Sequence, residues 1–241
     1  MNAFDASILS QFNSVAQTSH IFDLMLWEIS ENHLLKGAVP ITLLWFFWFN
    51  NKKGDNKVTS SIVRDQVIIT LLSSLFAIFI GRLLALTLPF RTRPLENIGL
   101  HFVIPYGVGH RAFGSMNSFP SDHATFMFSL VTGIWLISRG IGFATFCYVT
   151  MIVLLPRIYL GLHYPTDIIA GALVGIFISL ILHKNQQIRN LVVKPILIFS
   201  EKSPALFYTL FFLSTYEIAS MFDEIRSLYH ITSQIIQYGF T

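Results

Sequence analysis

Uncharged, mostly apolar stretches alternate along this chain with short connections that carry the charges: 37–51, 66–81, 124–138, 140–156, 168–182 and 203–216. Each falls a little short of the roughly 20 residues that cross a bilayer core, so flanking turns must complete each crossing. The pattern predicts an all-α integral membrane protein with six transmembrane helices in a single transmembrane domain over 1–241. Ahead of the first span, Phe4, Ile8, Phe12 and Val15 fall at helical spacing, and Asp23, Glu28 and Glu31 interrupt the apolar residues that follow. One or two helices lying in the outer interface are expected over 1–35. The last region, 203–241, adds a helix and a tail in which Leu228, Ile231, Ile235 and Tyr238 could form a second interfacial stripe.

Composition closes off the other readings. Hydrophobic residues are 53% and charged residues 12%, so six buried helices of a soluble protein would be left with almost no polar surface. The single Cys147 excludes an internal disulfide framework and any multi-cysteine metal site, and in its apolar run it reads as a small buried hydrophobe. Net charge is only +3, which gives no basis for nucleic-acid binding. Nine of the sixteen basic residues, Lys52, Lys53, Lys57, Arg64, Arg139, Lys184, Arg189, Lys194 and Lys202, lie in the connections after spans one, three and five. Those connections should be cytoplasmic and both termini outside. The first 35 residues have neither the basic start nor the cleavage site of a signal peptide.

The chemistry gathers on the outer side. Arg91-Thr92-Arg93-Pro94 follows span two, Phe119-Pro120-Ser121-Asp122-His123 opens span three, and Arg157 to Asp167 joins spans four and five. Pro120 and Ser121 suit a helix start, where free N–H groups attract an anion. Arg93 and Arg157 present planar forks that match phosphate oxygens. His163 and Asp167 stand four apart; a carboxylate holding one ring nitrogen would make the other a nucleophile or base. His123, on another segment, is then free to be a general acid. Arg82 lies within apolar sequence, about 12 Å along a helix from Phe90 at 1.5 Å per residue, and either snorkels or serves the site. His101, His110 and Arg111 read as a solvated loop, and His33 and His183 as interfacial residues at span ends. The crowd of arginines argues against a bound metal cation.

At these residues the chain resembles the type 2 phosphatidic acid phosphatase (PAP2) superfamily of membrane lipid phosphatases. The family pattern is Lys-x6-Arg-Pro, Pro-Ser-Gly/Asp-His and Ser-Arg-x5-His-x3-Asp, and here Arg93-Pro94, Pro120-Ser121-Asp122-His123 and Arg157-x5-His163-x3-Asp167 match in order over about 82–170. Two positions depart: Leu86 stands where the family has lysine, and Pro156 where it has serine. The resemblance implies His163 as the nucleophile of a phosphohistidine intermediate, Asp167 as its orienting partner and His123 as the acid on the leaving oxygen. Arg93, Ser121, Arg157 and backbone amides would hold the phosphoryl group, with Arg91, Asp122 and Arg82 alongside and no metal or other cofactor. Of the two candidates for the lysine's charge, Arg91 is favoured over Arg82 because it lies two residues from Arg93.

The Pro-Ser-Asp-His form and the outward site resemble bacterial undecaprenyl pyrophosphate phosphatases, which recycle a lipid carrier for cell-wall synthesis at the cytoplasmic membrane. The implied partners are a lipid pyrophosphate or phosphate and the surrounding membrane lipids, with the oligomeric state open. A phosphotransferase passing the group to another lipid, and a lipid-phosphate transporter or binding protein, are the alternatives.

Overall fold

The computed structural model describes residues 1–50, 57–108 and 117–222, with side chains from residue 60 in the second stretch. Lys52, Lys53, His110, Arg111, Arg226 and the apolar stripe of the tail lie outside the described residues. Within them the secondary structure is helical and contains no strand.

Local chemistry sets the helix starts. Asn2 caps α1 (Ala3–Asn13) by accepting the Asp5 N–H at 2.7 Å, and Ser19 caps α2 (His20–Glu31) through the Phe22 N–H. A π turn, Leu34–Ala38, leads into α3 (Val39–Phe49), followed by α4 (Lys57–Thr87) and α5 (Asp122–Ile137). Next, α6 (Arg139–Tyr148) continues through a π segment, Val149–Leu154, into α7 (Leu155–Tyr159). Then come α8 (Pro165–Lys184), the short α9 (Gln186–Ile188), α10 (Lys194–Lys202) and α11 (Pro204–Ala219). Proline begins α8 and α11, where a missing N–H costs nothing.

The centre of the bundle is α5, whose largest interfaces are with α8 and α4. In hydrocarbon, helices gain little by hiding apolar surface from each other, so close approach through small residues carries the association. Gly171 and Gly175 do this on α8. A Cβ at Gly175 would stand 2.2 Å from the Thr125 carbonyl oxygen of α5, and one at Gly171 would stand 2.5 Å from that of Ser121. On the other side of α5, Gly133 admits the Thr70 side chain of α4. Fully buried Phe126, Met127, Leu130 and Ile134 fill the remaining space with Val67 and Ile69. Farther out, α3 and α11 pair through aromatic rings, with Trp48 Nε1 donating to Tyr208 Oη at 3.0 Å and Trp45 Nε1 to Thr215 Oγ1 at 3.1 Å.

Three of the six predicted spans have the length and apolarity to cross a membrane: Ser60–Thr87, Arg139–Tyr159 and Pro165–Lys184. Leu34–Phe49 and Asp122–Ile137 are apolar but shorter, and α5 and α11 have 16 residues each. Sixteen residues make a helix of about 24 Å, against a core of roughly 30 Å. The predicted limits of span two were its flanking charges, whereas α4 runs through Arg64 and Arg82 without a break. Because Arg82 of α4 meets Asp122 at the start of α5, the α5 terminus is level with Arg82. It lies five residues, about 8 Å at 1.5 Å per residue, below the end of α4.

The N-terminal helices do more than rest on an interface. The expected stripe splits: Phe4 and Val15 are exposed, while Ile8 and Phe12 pack beside buried Leu9 against Ile158 and Tyr164. Each helix also buries a carboxylate completely, Asp5 from α1 and Asp23 from α2. Asp23 accepts the Tyr159 hydroxyl and the N–H groups of Gln17 (3.0 Å) and Tyr106 (2.9 Å), pinning α2 to the end of α7. The remaining span-end expectation changes as well. His183 is buried instead of interfacial, because α4 packs over it and the 186–193 segment folds back, with Arg189 Nη2 donating to the His183 carbonyl at 2.9 Å.

Candidate active site

Three loops meet around the N-terminus of α5. Asn117 ties two of them together: its Oδ1 accepts the N–H groups of Arg91 (3.0 Å) and Phe119 (3.1 Å), while its Nδ2 donates to the Ala85 carbonyl at 2.9 Å. Ser118 N–H adds a bond to the Arg91 carbonyl at 2.9 Å. The third loop turns at Gly161, whose φ of +69° is natural only for glycine. The turn is closed by Leu162 and His163 N–H groups on the Arg157 carbonyl. Ser121 then joins α5 to α8: its side chain caps α5 by accepting the Ala124 N–H at 3.5 Å, and its own N–H donates to the Asp167 carbonyl at 3.1 Å. The first-turn N–H groups of a helix so capped offer positive charge to an anion.

His163 is buried in this turn, and its Nδ1 lies 3.0 Å from the Ser118 carbonyl oxygen. A carbonyl can only accept, so Nδ1 carries a proton, and in the neutral imidazole Nε2 then holds the lone pair. No hydrogen bond from a described residue occupies Nε2. Asp167 is 3.8 Å from Nδ1, beyond hydrogen-bond range, so the orientation expected from it directly comes through an intermediary. Its Oδ2 accepts the Ser118 hydroxyl at 2.5 Å and the Tyr164 N–H at 2.8 Å, fixing the residue whose carbonyl holds the imidazole. Burial is the main influence on His163 and lowers its pKa from the ordinary 6.5, opposed by Asp167 and reinforced by Arg93 and Arg157.

The same electrostatic reach unites His123, His163, Arg93 and Arg157 in one cluster. Arg157 and Arg93 are both buried. Arg157 Nη2 stands 2.7 Å from His123 Nε2; since guanidinium only donates, Nε2 is the acceptor and the imidazole is neutral in this arrangement. Arg82 pairs with Asp122 at 2.9 Å while keeping 43% of its side chain exposed. Arg91, favoured by sequence as a phosphate ligand, is instead turned onto carboxylates. Its Nη2 bonds Asp5 Oδ2 at 2.6 Å, its Nη1 bonds Asp167 Oδ1 and Thr166 Oγ1, and its guanidinium lies 3.9 Å over the Tyr164 ring.

The structure therefore brings His123, His163, Asp167, Arg93, Arg157, Ser121, Asp122 and Arg82 to one end of the α4/α5/α8 core, with Arg91 behind Asp167 on the side of α1. Ser118, Asn117 and Asp5 join this constellation through backbone groups or through residues distant in sequence, and no sequence motif flags them. Among the described residues no three His, Cys, Asp or Glu side chains are grouped to hold a metal ion.

An imidazole, a second histidine and buried arginines thus surround one helix N-terminus in a bundle of apolar helices. The PAP2 superfamily model matches residues 67–191, just over half of the chain, and the chain belongs to that superfamily. It is 32% identical over 111 residues to the putative undecaprenyl-diphosphatase YbjG of Escherichia coli, covering 46% of this chain and 50% of the relative. It is 25% identical over 171 residues to the undecaprenyl-diphosphatase BcrC of Bacillus subtilis, covering 71% and 75%. With the bacitracin transport permease protein BcrC of Bacillus licheniformis it shares 41% identity over 64 residues, 27% of this chain and 31% of the relative. The chain thus spans about a third of the length of the Bacillus licheniformis relative and half that of the Escherichia coli one. The crystal structure of Aquifex aeolicus LpxE aligns with a TM-score of 0.47 and 23% identity over 76% of this chain and 97% of that one.

Proposed function

We propose that this protein is a membrane lipid phosphatase that hydrolyses a polyprenyl diphosphate, of the undecaprenyl class, to the monophosphate through a phosphohistidine at His163. The observation that carries the reading is the His163 imidazole, with Nδ1 committed to the Ser118 carbonyl and Nε2 left without a described partner inside a cluster of arginines. Mere binding of an anion needs no imidazole with a fixed lone pair.

In the proposed reaction the terminal phosphoryl group lies at the α5 N-terminus, its oxygens held by Arg93, Arg157, Arg82 and first-turn amides. His163 Nε2 attacks phosphorus, forming the N–P bond as the P–O bond to the lipid monophosphate breaks. His123 enters this step protonated, its Arg157 partner having turned to the phosphoryl oxygens, and gives its proton to the leaving oxygen. Water then attacks the phosphohistidine, His123 accepts the water's proton, the N–P bond breaks, and inorganic phosphate leaves. The arginines and the helix start supply the charge neutralisation that magnesium performs in many phosphoryl-transfer enzymes, so the reaction is proposed to be metal-independent. The site is assigned to the extracytoplasmic face of a bacterial cytoplasmic membrane, supported by the bias of basic residues toward the other face. The polyprenyl substrate is supported by the names of the two undecaprenyl-diphosphatase relatives.

Purified protein in detergent with excess EDTA and a polyprenyl diphosphate, with no acceptor lipid, tests this. Release of inorganic phosphate is expected, together with an acid-labile phosphoenzyme in quenched samples that is absent from His163→Ala. Phosphate release only after an acceptor lipid is added would make the protein a phosphotransferase. Tight binding without turnover would make it a binding or transport protein, and activity that needs a divalent ion would remove the metal-independent mechanism.

A further inference from the structure

The N-terminal helix α1 lies outside the residues that match the family model, yet it places a fully buried carboxylate, Asp5, against the site. Burying a carboxylate is costly unless every lone pair finds a donor, and the donors Asp5 finds are specific. Oδ1 accepts the Thr166 N–H at 3.0 Å, while Oδ2 accepts the Thr166 hydroxyl at 2.7 Å and Arg91 Nη2 at 2.6 Å. Thr166 is in the first turn of α8, so Asp5 caps that helix from another element. From Arg91 a continuous set of contacts leads inward: Arg91 Nη1 on Asp167 Oδ1, Asp167 Oδ2 on the Ser118 hydroxyl, and the Ser118 carbonyl on His163 Nδ1. Arg91 could satisfy Asp167 alone; with one fork spread over two buried carboxylates, its rotation is fixed.

We propose that Asp5 is a positioning residue for phosphoryl transfer: α1 is part of the catalytic structure, and its aspartate sets Arg91, hence Asp167 and the Ser118 carbonyl, and so the direction of the His163 lone pair. This rests on His163 being the nucleophile. A residue that acts on aim lowers kcat and leaves KM alone, whereas one that only holds the fold lowers the amount of active protein and the unfolding temperature together.

The test is Asp5→Asn in full-length protein, with kcat, KM, the unfolding temperature in detergent and the phosphoenzyme level followed on a polyprenyl diphosphate. A fall in kcat of about tenfold is expected with KM within about twofold, and Asp5→Asn on a Ser118→Ala background should cost less than it does alone, because the two act as one unit. Wild-type kcat in folded Asp5→Asn, or full additivity with Ser118→Ala, overturns the inference. If Asp5→Asn does not fold, the isosteric Thr166→Val, which removes a hydroxyl shared by Asp5 and Arg91, is expected to lower kcat about threefold; wild-type kcat there overturns it equally. Retained activity in His163→Ala would instead remove the reading beneath it, whatever Asp5 does.

Discussion

Helix α8 has a buried histidine and an arginine–aspartate pair at both ends, and the two ends are built differently. At its start, His163 sits in a turn with one nitrogen on the Ser118 carbonyl, while Arg91 joins Asp167 and Asp5. At its finish, His183 Nδ1 lies 2.8 Å from the Ser179 carbonyl of its own helix, Nε2 lies 3.3 Å from Thr70 Oγ1, and Arg189 pairs with Asp65. Both rings are almost equally hidden, 4% and 8% exposed. They differ in what is left over. His183 has a partner at each nitrogen and locks α4 to α8; His163 Nε2 has no hydrogen-bond partner among the described residues and lies among cations. Burial and residue type alone do not tell the two histidines apart, whereas the described partners of each nitrogen and the charges around His163 do.

The comparison breaks first if both ends face the same compartment. In a Cys147→Ser background, Ile98→Cys and Leu191→Cys place thiols on exposed positions of the outer connection and of the segment after α8. An impermeant thiol reagent applied to intact cells should modify the first completely and the second not at all; labelling of Leu191→Cys alone would invert the assignment. The next largest effect is chemical. His163→Ala should lower turnover by roughly a thousandfold or more, while His183→Leu should stay within about threefold of wild type and lose on the order of 1–3 kcal/mol of stability, because Thr70 loses a buried partner. Equal losses of turnover in the two variants would erase the distinction.

A smaller effect sharpens the roles of the cations. We propose that Arg82, level with the start of α5 and partly exposed beside Asp122, supplies the charge that Leu86 lacks. Arg82→Ala should cost at least tenfold in kcat/KM, about 1.4 kcal/mol; a wild-type value in folded protein would return that role to Arg91. The smallest effect is in pH. Burial lowers the His163 pKa, so the neutral nucleophile persists to lower pH than an ordinary imidazole near 6.5. At pH 6.5 more than half of the neutral-pH kcat/KM should therefore remain, and an acid limb centred above 6.5 would contradict that origin.

Much of this was readable from one chain because apolar stretches fix which loops share a face. His123, His163, Asp167 and Arg157 converge for that reason, and α5, α8 and the α6–α7 run begin and end close to the predicted limits. Two kinds of information were not readable. Asp5 lies 161 residues from Thr166, and Ser118 acts on His163 through a carbonyl that any residue possesses. Depth was the other. With distance measured from Phe90, at the end of the apolar run, Arg82 reads as remote; α5 begins lower than that, beside Arg82, and Arg91 is turned onto the carboxylates behind it. The charges bounding each apolar run also concealed the length of α4, since arginines can lie within a helix whose polar ends reach the surface.

The unequal helix lengths have a consequence for the surrounding lipid. The 28-residue span of α4 is about 42 Å long at 1.5 Å per residue, whereas the Leu34–Phe49 run that ends in α3, and α11, have 16 residues each, about 24 Å. No single bilayer thickness suits both. Where all three cross, as the six-span reading has it, lipid beside α3 and α11 thins or their flanking residues reach outward, while α4 tilts, each at a fraction of a kcal/mol per ångström of mismatch. Such a crossing would set a gradient of membrane thickness around the protein, and bilayer acyl length would become a variable that changes the relative tilt of α4 and α5, the two helices that present Arg82 and His123.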